Sequence, residues 1–188
     1  MKFLPTKFDL AWLIEPARHE DERGFFARTW CQREYAEHGL NPDLVQCSVS
    51  FNKKKGTLRG MHFQAAPHEE AKVVRCTQGS ICDVIIDVRE SSKTFGKWQS
   101  FELSARNRSA LYIPRGFAHG FQTLEPETEV SYQMSDFFHP QSACGVHFSD
   151  VTVGIAWPLP VSIISDRDAS LGDLASLFPA ESEIRRAG

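Results

Sequence analysis

The sequence predicts an all-β fold, a sandwich, jelly roll or closed barrel with a few short flanking helices. Three observations predict it. Short stretches of strand-forming residues recur along the chain, each is bounded by Gly, Pro, Asn or Ser, and one stretch alternates apolar and polar residues with a period of two.

The one clear helix comes early. Thr29 and Gln32 have the spacing of a capping box ahead of REYAEH, and Gly39 follows as a stop. The run KKK at 53–55 with Gly56 reads as a solvated turn between two strands. TLRGMHFQ at 57–64 suits a strand, and so does KVVRC at 72–76, which runs into Thr77, Gln78, Gly79 and Ser80 as a hairpin turn. ICDVIIDVR at 81–89 places Cys82, Val84, Ile86 and Val88 on one face and Asp83, Asp87 and Arg89 on the other, with Ile85 the exception. Further strands are predicted at 99–103, 110–113, 119–124, 129–134 and 145–148, and DASLGDLASLF from Asp168 onward reads as one or two short helices packed on the outside.

Length and composition set the outer bounds. At 188 residues, with no repeat or linker, the chain reads as a single domain, 1–188. A net charge of −3 gives no general attraction to nucleic acid, so an anionic ligand needs a local cluster of basic groups. MKFLPTKFDLAW lacks an apolar run of signal-peptide length, and the longest uncharged stretch, VTVGIAWPLPVSIIS, is short and broken by two prolines; a cytoplasmic protein without membrane association is expected. The five cysteines form no CxxC pair, which argues against a disulfide framework or a thiolate zinc site and for reduced, mostly buried thiols.

Strand periodicity also marks polar residues that face the wrong way for a simple core. The face carrying Val74 and Cys76 also carries Lys72, and the face carrying Val130 and Met134 also carries Tyr132. A lysine turned into an apolar interior is costly unless it meets an anion or an electron-rich oxygen, or unless it lies at the strand end and snorkels to water. A buried tyrosine ordinarily packs its ring and finds one hydrogen bond. In a regular strand His62 shares its face with Leu58, Gly60 and Gln64 and leaves Arg59 opposite, whereas a bulge at Gly60 brings His62 and Arg59 to one cavity.

IPRGFAHGF at 113–121 carries Pro114, Gly116 and His119 in the pattern P-x-G-x-x-H, which resembles the second conserved motif of the cupin superfamily of jelly rolls. Metal-binding cupins take further ligands from an upstream H-x-H. Here that stretch is HFQ, with Gln64 in place of the second histidine, so no metal is expected.

A closer resemblance spans roughly residues 3–175. DERGFF, GTLRGMHFQ, KVVRCTQGSICDVIIDVR, SSKTFGKW, LYIPRGFAHGF and SDRD occur in the order seen in the dTDP-4-dehydrorhamnose 3,5-epimerase family of nucleotide-sugar epimerases. The resemblance implies a cupin-type jelly roll, a homodimer with exchanged edge strands, a nucleotide-sugar substrate, and no metal or organic cofactor. A ketone at carbon 4 of such a sugar acidifies the protons on its neighbouring carbons, so that removal gives an enolate and reprotonation from the opposite face inverts the centre. That chemistry requires a base, an acid across the ring and a positive or hydrogen-bonding group at the enolate oxygen. By resemblance His62 is the base, Asp168 the carboxylate that orients it, Lys72 the group near the keto oxygen and Tyr132 the acid. Arg23 and Arg59 hold the diphosphate, and Gln46, Ser48, Arg28, His119, Phe138 and Arg167 line the site. For Arg23, a surface ion pair with Asp21 or Glu22 is the competing expectation.

The sequence departs from the family pattern where the nucleotide is held. Arg28 and Ala143 replace acidic residues, Ser48 replaces an asparagine, and Phe138 replaces a tyrosine. A carboxylate accepts a hydrogen bond from a thymine imide, whereas arginine only donates, as suits a base edge such as that of cytosine. Inversion at one carbon instead of two, a related ketoisomerase, a non-catalytic nucleotide-sugar binding module and a metal-dependent cupin are the alternatives.

Overall fold

A computed structural model describes residues 1–178. Thirteen strands are arranged as β1 (Lys2–Pro5), β2 (Trp12–Glu15), β3 (Arg18–Asp21), β4 (Gly24–Ala27), β5 (Gln46–Asn52), β6 (Leu58–Gln64), β7 (Lys72–Gln78), β8 (Ser80–Asp87), β9 (Trp98–Ser104), β10 (Ala110–Ile113), β11 (Phe117–Thr123), β12 (Thr128–Met134) and β13 (Ala143–Gly145). Three short helices, α1 (Gln32–Glu37), α2 (Asp166–Ala169) and α3 (Leu174–Leu177), flank them. One sheet runs in the order β1-β2-β10-β7-β12-β5 and the other β13-β6-β11-β8-β9, every pairing antiparallel, while β3 and β4 form a separate hairpin. This is an all-β jelly roll, one of the architectures that the punctuation of the sequence allows and the one that the resemblance implies.

The sheets are covered on both faces. Val74, Leu111 and Val130 of the first sheet meet Ile81, Ile85 and Phe121 of the second in a central core. The outer face of the second sheet, including Val84, Ile86 and Val88, is covered by Val146, Val153 and Leu174 of the C-terminal segment. The outer face of the first is covered by Tyr35 of α1 and Leu40. Two-sided cover explains why the alternation in 81–89 does not separate core from solvent: Asp83 and Asp87 are both fully buried. Asp87 ties down the following loop, accepting from the Arg89 guanidinium and from the Ser92 and Thr94 hydroxyls, each 2.6–2.8 Å away. Burial by itself pushes its carboxyl up, but these bonds outweigh it and hold it below the ordinary range.

Several local expectations need correction. The predicted hairpin at 77–80 is a sheet crossing: β7 pairs with β10 and β12, β8 with β9 and β11, and the chain changes sheets at Gly79 with φ +74°. The helix starts at Gln32 with Cys31 as its N-cap and no side-chain cap, so Thr29 and Gln32 form no capping box, although Gly39 ends it as expected. The strand predicted at 145–148 is displaced to β13, Ala143–Gly145; β1 to β4 are four residues each, too short to show an alternation, and β5, where Cys47, Val49 and Phe51 alternate with polar residues, is a strand the sequence reading missed. All five cysteines are free thiols, but only Cys76 is buried and Cys47 is exposed, so they are less buried than expected.

Candidate active site

A cavity of about 480 Å³ opens between the two sheets. The second sheet supplies Arg59 and His62 through a bulge. On the β6–β11 ladder Phe121 lies opposite Arg59 and His119 opposite His62, so three residue steps on β6 match two on β11. The extra residue turns Met61 into the outer core and leaves Arg59 and His62 both on the cavity. Gly60 permits this: at φ +131° it lies so close to β11 that an added Cβ would stand 2.5 Å from the Gly120 Cα.

His62 is held by Asp168. Its Nε2 is 2.8 Å from Asp168 Oδ1, while Asp168 Oδ2 accepts from the Gly60 backbone N–H at 3.1 Å. Asp168 sits in the first turn of α2, whose N-cap Ser165 accepts from the Asp168 N–H at 3.1 Å. Burial alone would push the Asp168 carboxyl up, but the His62 bond and charge together with the hydrogen bonds to Gly60 and Ser165 outweigh it and hold it below the usual carboxylate range. The carboxylate therefore fixes the proton on Nε2 and leaves Nδ1 as the free base.

The facing sheet supplies Tyr132 and Lys72. Tyr132 lies opposite Ser48 on the β12–β5 ladder, and its hydroxyl is 3.4 Å from Ser50 Oγ. Burial pushes the phenol well above its ordinary value, against the smaller opposing effect of Ser50, so the O–H stays intact as a donor at neutral pH. Lys72 does not snorkel to water. Its side chain is 13% exposed and its ammonium is 2.7 Å from Glu70 Oε1. Behind them His119 Nε2 contacts Asp83 Oδ1 at 2.7 Å, and the His119 ring meets Tyr132 edge to face at 6.3 Å. Burial pushes the Asp83 carboxyl up, opposed by the nearby His119 and Lys72 charges.

Of the remaining expected residues, Gln46, Ser48, Phe138 and Arg167 also border the cavity. Phe138 sits at the rim, its N–H donating to Gln46 Oε1 at 2.7 Å. Arg59 Nε donates to Asn52 Oδ1 at 2.7 Å, and neither Arg59 nor Arg167 forms an ion pair among the described residues. Two unpaired guanidiniums in one cavity suit an anion. Gln64 is not part of the chamber wall: its amide donates to the carbonyls of His68 and Phe137 and accepts from the His139 N–H, tying two loops together.

Arg23 and Arg28 are the exceptions, because neither borders the cavity of its own chain. Arg23 pairs with Asp21 at the tip of the β3–β4 hairpin, and Arg28 pairs with Glu34 at 3.1 Å. The expectation that they line the site fails within one chain, since the hairpin carrying them bonds to neither sheet. Sequence reasoning in turn missed Glu70, Asp83 and Ser50. Asp83 left a signal in the polar face of 81–89, which also holds Ile85 and therefore points inward; Glu70 left none.

A sequence profile of the dTDP-4-dehydrorhamnose 3,5-epimerase family matches residues 5–176. The dTDP-4-dehydrorhamnose 3,5-epimerase of Shigella flexneri is 40% identical over 169 residues, 89% of this chain and 93% of that protein. The chain belongs to the dTDP-4-dehydrorhamnose 3,5-epimerase family. Its fold agrees with solved members. The enzyme of that name from Elizabethkingia anophelis superposes with a TM-score of 0.90 at 38% identity, covering 94% of this chain and 97% of the other. The dTDP-6-deoxy-D-glucose-3,5-epimerase of Legionella pneumophila, in complex with dTDP-4-keto-L-rhamnose, gives 0.89 at 35% identity and 96% of each chain. The family strings now have structural meanings: GTLRGMHFQ builds the bulge, LYIPRGFAHGF supplies the strand beside it, and SDRD is the capped turn that delivers Asp168. The positions departing from the family pattern are divided. Ser48 and Phe138 border the main cavity, Ala143 borders an adjoining one of about 180 Å³, and Arg28 lies apart.

Proposed function

We propose that this member of the family epimerises a dTDP-4-keto-6-deoxyhexose by enolate chemistry, with His62 as base and Tyr132 as acid. One observation carries the proposal: His62 on β6 and Tyr132 on β12 come from opposite sheets and border the same cavity. A sugar ring held between the sheets has a proton acceptor on one side and a protonated phenol on the other, as inversion requires. His62 Nδ1 takes the proton from the carbon next to the ketone, Asp168 stabilises the imidazolium, and the Tyr132 O–H returns a proton to the other face. The Lys72 ammonium donates to the oxygen as negative charge develops there, with His119 beside it. Arg59 receives the diphosphate, and Arg167 lines the cavity toward Lys72. No metal or organic cofactor enters these steps.

The protein acts in deoxysugar supply as a single-domain cytoplasmic homodimer; the last residues of that domain, 179–188, lie outside those described. Support for a dimer comes from the exposed apolar residues of β5 and the hairpin, where Val49 is 60% and Phe26 76% exposed. A hairpin exchanged across such a dimer places Arg23 and Arg28 against the other subunit's cavity, the role they do not fill in their own chain.

Proton NMR in heavy water with dTDP-4-keto-6-deoxyglucose tests the reaction. Deuterium entering at carbons 3 and 5 is the expected result. Exchange at one carbon alone identifies a single-centre enzyme, and no exchange with this or the CDP sugar overturns the proposal.

A further inference from the structure

The cavity holds one cation already neutralised inside it. Lys72 and Glu70 face each other at 2.7 Å with side chains 13% and 9% exposed, whereas Arg59 and Arg167 have no acidic partner among the described residues. Glu70 is itself fixed, because its second oxygen accepts from Gln64 Nε2 at 3.2 Å and the Gln64 amide is anchored to two loops. Arg59 and Lys72 lie toward opposite ends of the cavity. Arg59 bonds Asn52 at one end of β5, and Lys72 stands in register with Met134, which lies opposite Gln46 at the other end.

A nucleotide sugar brings two kinds of negative oxygen: a diphosphate with full charge, and a ketone that becomes negative only as its enolate forms. A bare Lys72 would attract the diphosphate more strongly than the ketone, and with Arg167 on the same side it would complete a second anion site competing with the Arg59 end. We infer that Glu70 is a positioning residue that sets which way round the substrate binds: by pairing Lys72 it removes that competing site and keeps the ammonium for the ketone oxygen. The inference rests on the functional reading above. Glu70 touches no reacting atom and acts through Lys72.

The test is calorimetric titration of inorganic diphosphate into wild type, Glu70→Gln and Glu70→Gln/Lys72→Met, alongside steady-state epimerisation. Glu70→Gln should bind diphosphate about tenfold more tightly, as expected for one added charged hydrogen bond, and should lose about tenfold in kcat/KM. The double variant should lose the extra affinity. Glu70→Asp, which keeps the charge, should bind diphosphate as wild type does, and Glu70→Thr replaces Glu70→Gln if that variant does not fold. Unchanged or weaker diphosphate binding in the neutral variant overturns the inference, and so does a gain that survives in the double variant. Binding is read without turnover. A wild type that epimerises no keto sugar would therefore remove the functional reading while still deciding whether Glu70 suppresses an anion site.

Discussion

His62 and His119 stand directly opposite each other on the β6–β11 ladder, and each presents Nε2 to a carboxylate, Asp168 at 2.8 Å and Asp83 at 2.7 Å. The two pairs differ in access. The His62 side chain is 39% exposed and that of His119 only 5%. The accessible pair can exchange protons with substrate and solvent, and the enclosed pair supports the wall behind Tyr132. This difference supports the proposed role of His62 as the base.

Replacing His62 by Asn should reduce turnover by about 10²–10⁴-fold, the usual contribution of a positioned general base. Asp168→Asn should fall in the same range, because the amide presents the wrong partner to Nε2. Deuterium exchange and circular dichroism are measured together; full activity in folded His62→Asn rejects the base assignment.

Tyr132→Phe should separate the two half-reactions. Proton abstraction by His62 continues, so substrate deuterium uptake persists while inversion falls steeply. Stability should change by about 1 kcal/mol or less, since only the long contact to Ser50 is removed. Equal loss of exchange and inversion would make Tyr132 structural.

The Asp168 carboxyl titrates lower in the folded chain than in the unfolded one. Its contribution to stability is therefore complete above the unfolded carboxylate value of about 3.9 and is lost as pH falls below that value toward the native one. Urea denaturation at stepped acid pH should show wild-type stability declining through that window. Asp168→Asn should be less stable near neutrality and decline less steeply in acid, and parallel curves would contradict this.

Gly60→Ala should destabilise the fold by about 3 kcal/mol or more, or prevent soluble expression. The new Cβ would stand 2.5 Å from the backbone of Gly120 on the adjacent strand, at a φ of +131° that alanine tolerates poorly. Thermal melting decides the point, and a wild-type midpoint would show that the bulge relaxes.

Val49→Asp should shift a dimer to monomer in light scattering while leaving the jelly roll intact by circular dichroism, because the side chain is exposed in the single chain. Nucleotide affinity should fall with it if Arg23 serves the other subunit's cavity. A monomeric wild type would remove the exchanged-hairpin arrangement.

The sequence by itself determined the all-β class, the strands from β6 to β12, and the residue types that carry the chemistry, because alternation and turn residues are local and because several family strings occur in order. It also marked Lys72 and Tyr132 as polar residues on inward faces. Tertiary structure decided the rest. The bulge that turns Arg59 and His62 to one side depends on Gly60 meeting Gly120 across a ladder, and the crossing at Gly79 depends on which sheet each strand joins. The pairing of Asp168 with His62 joins residues 106 positions apart, and Glu70 beside Lys72 has no periodic signal at all. Hydrogen-bond and ion-pair partners at such separations are set by packing, which a local pattern of residues does not encode.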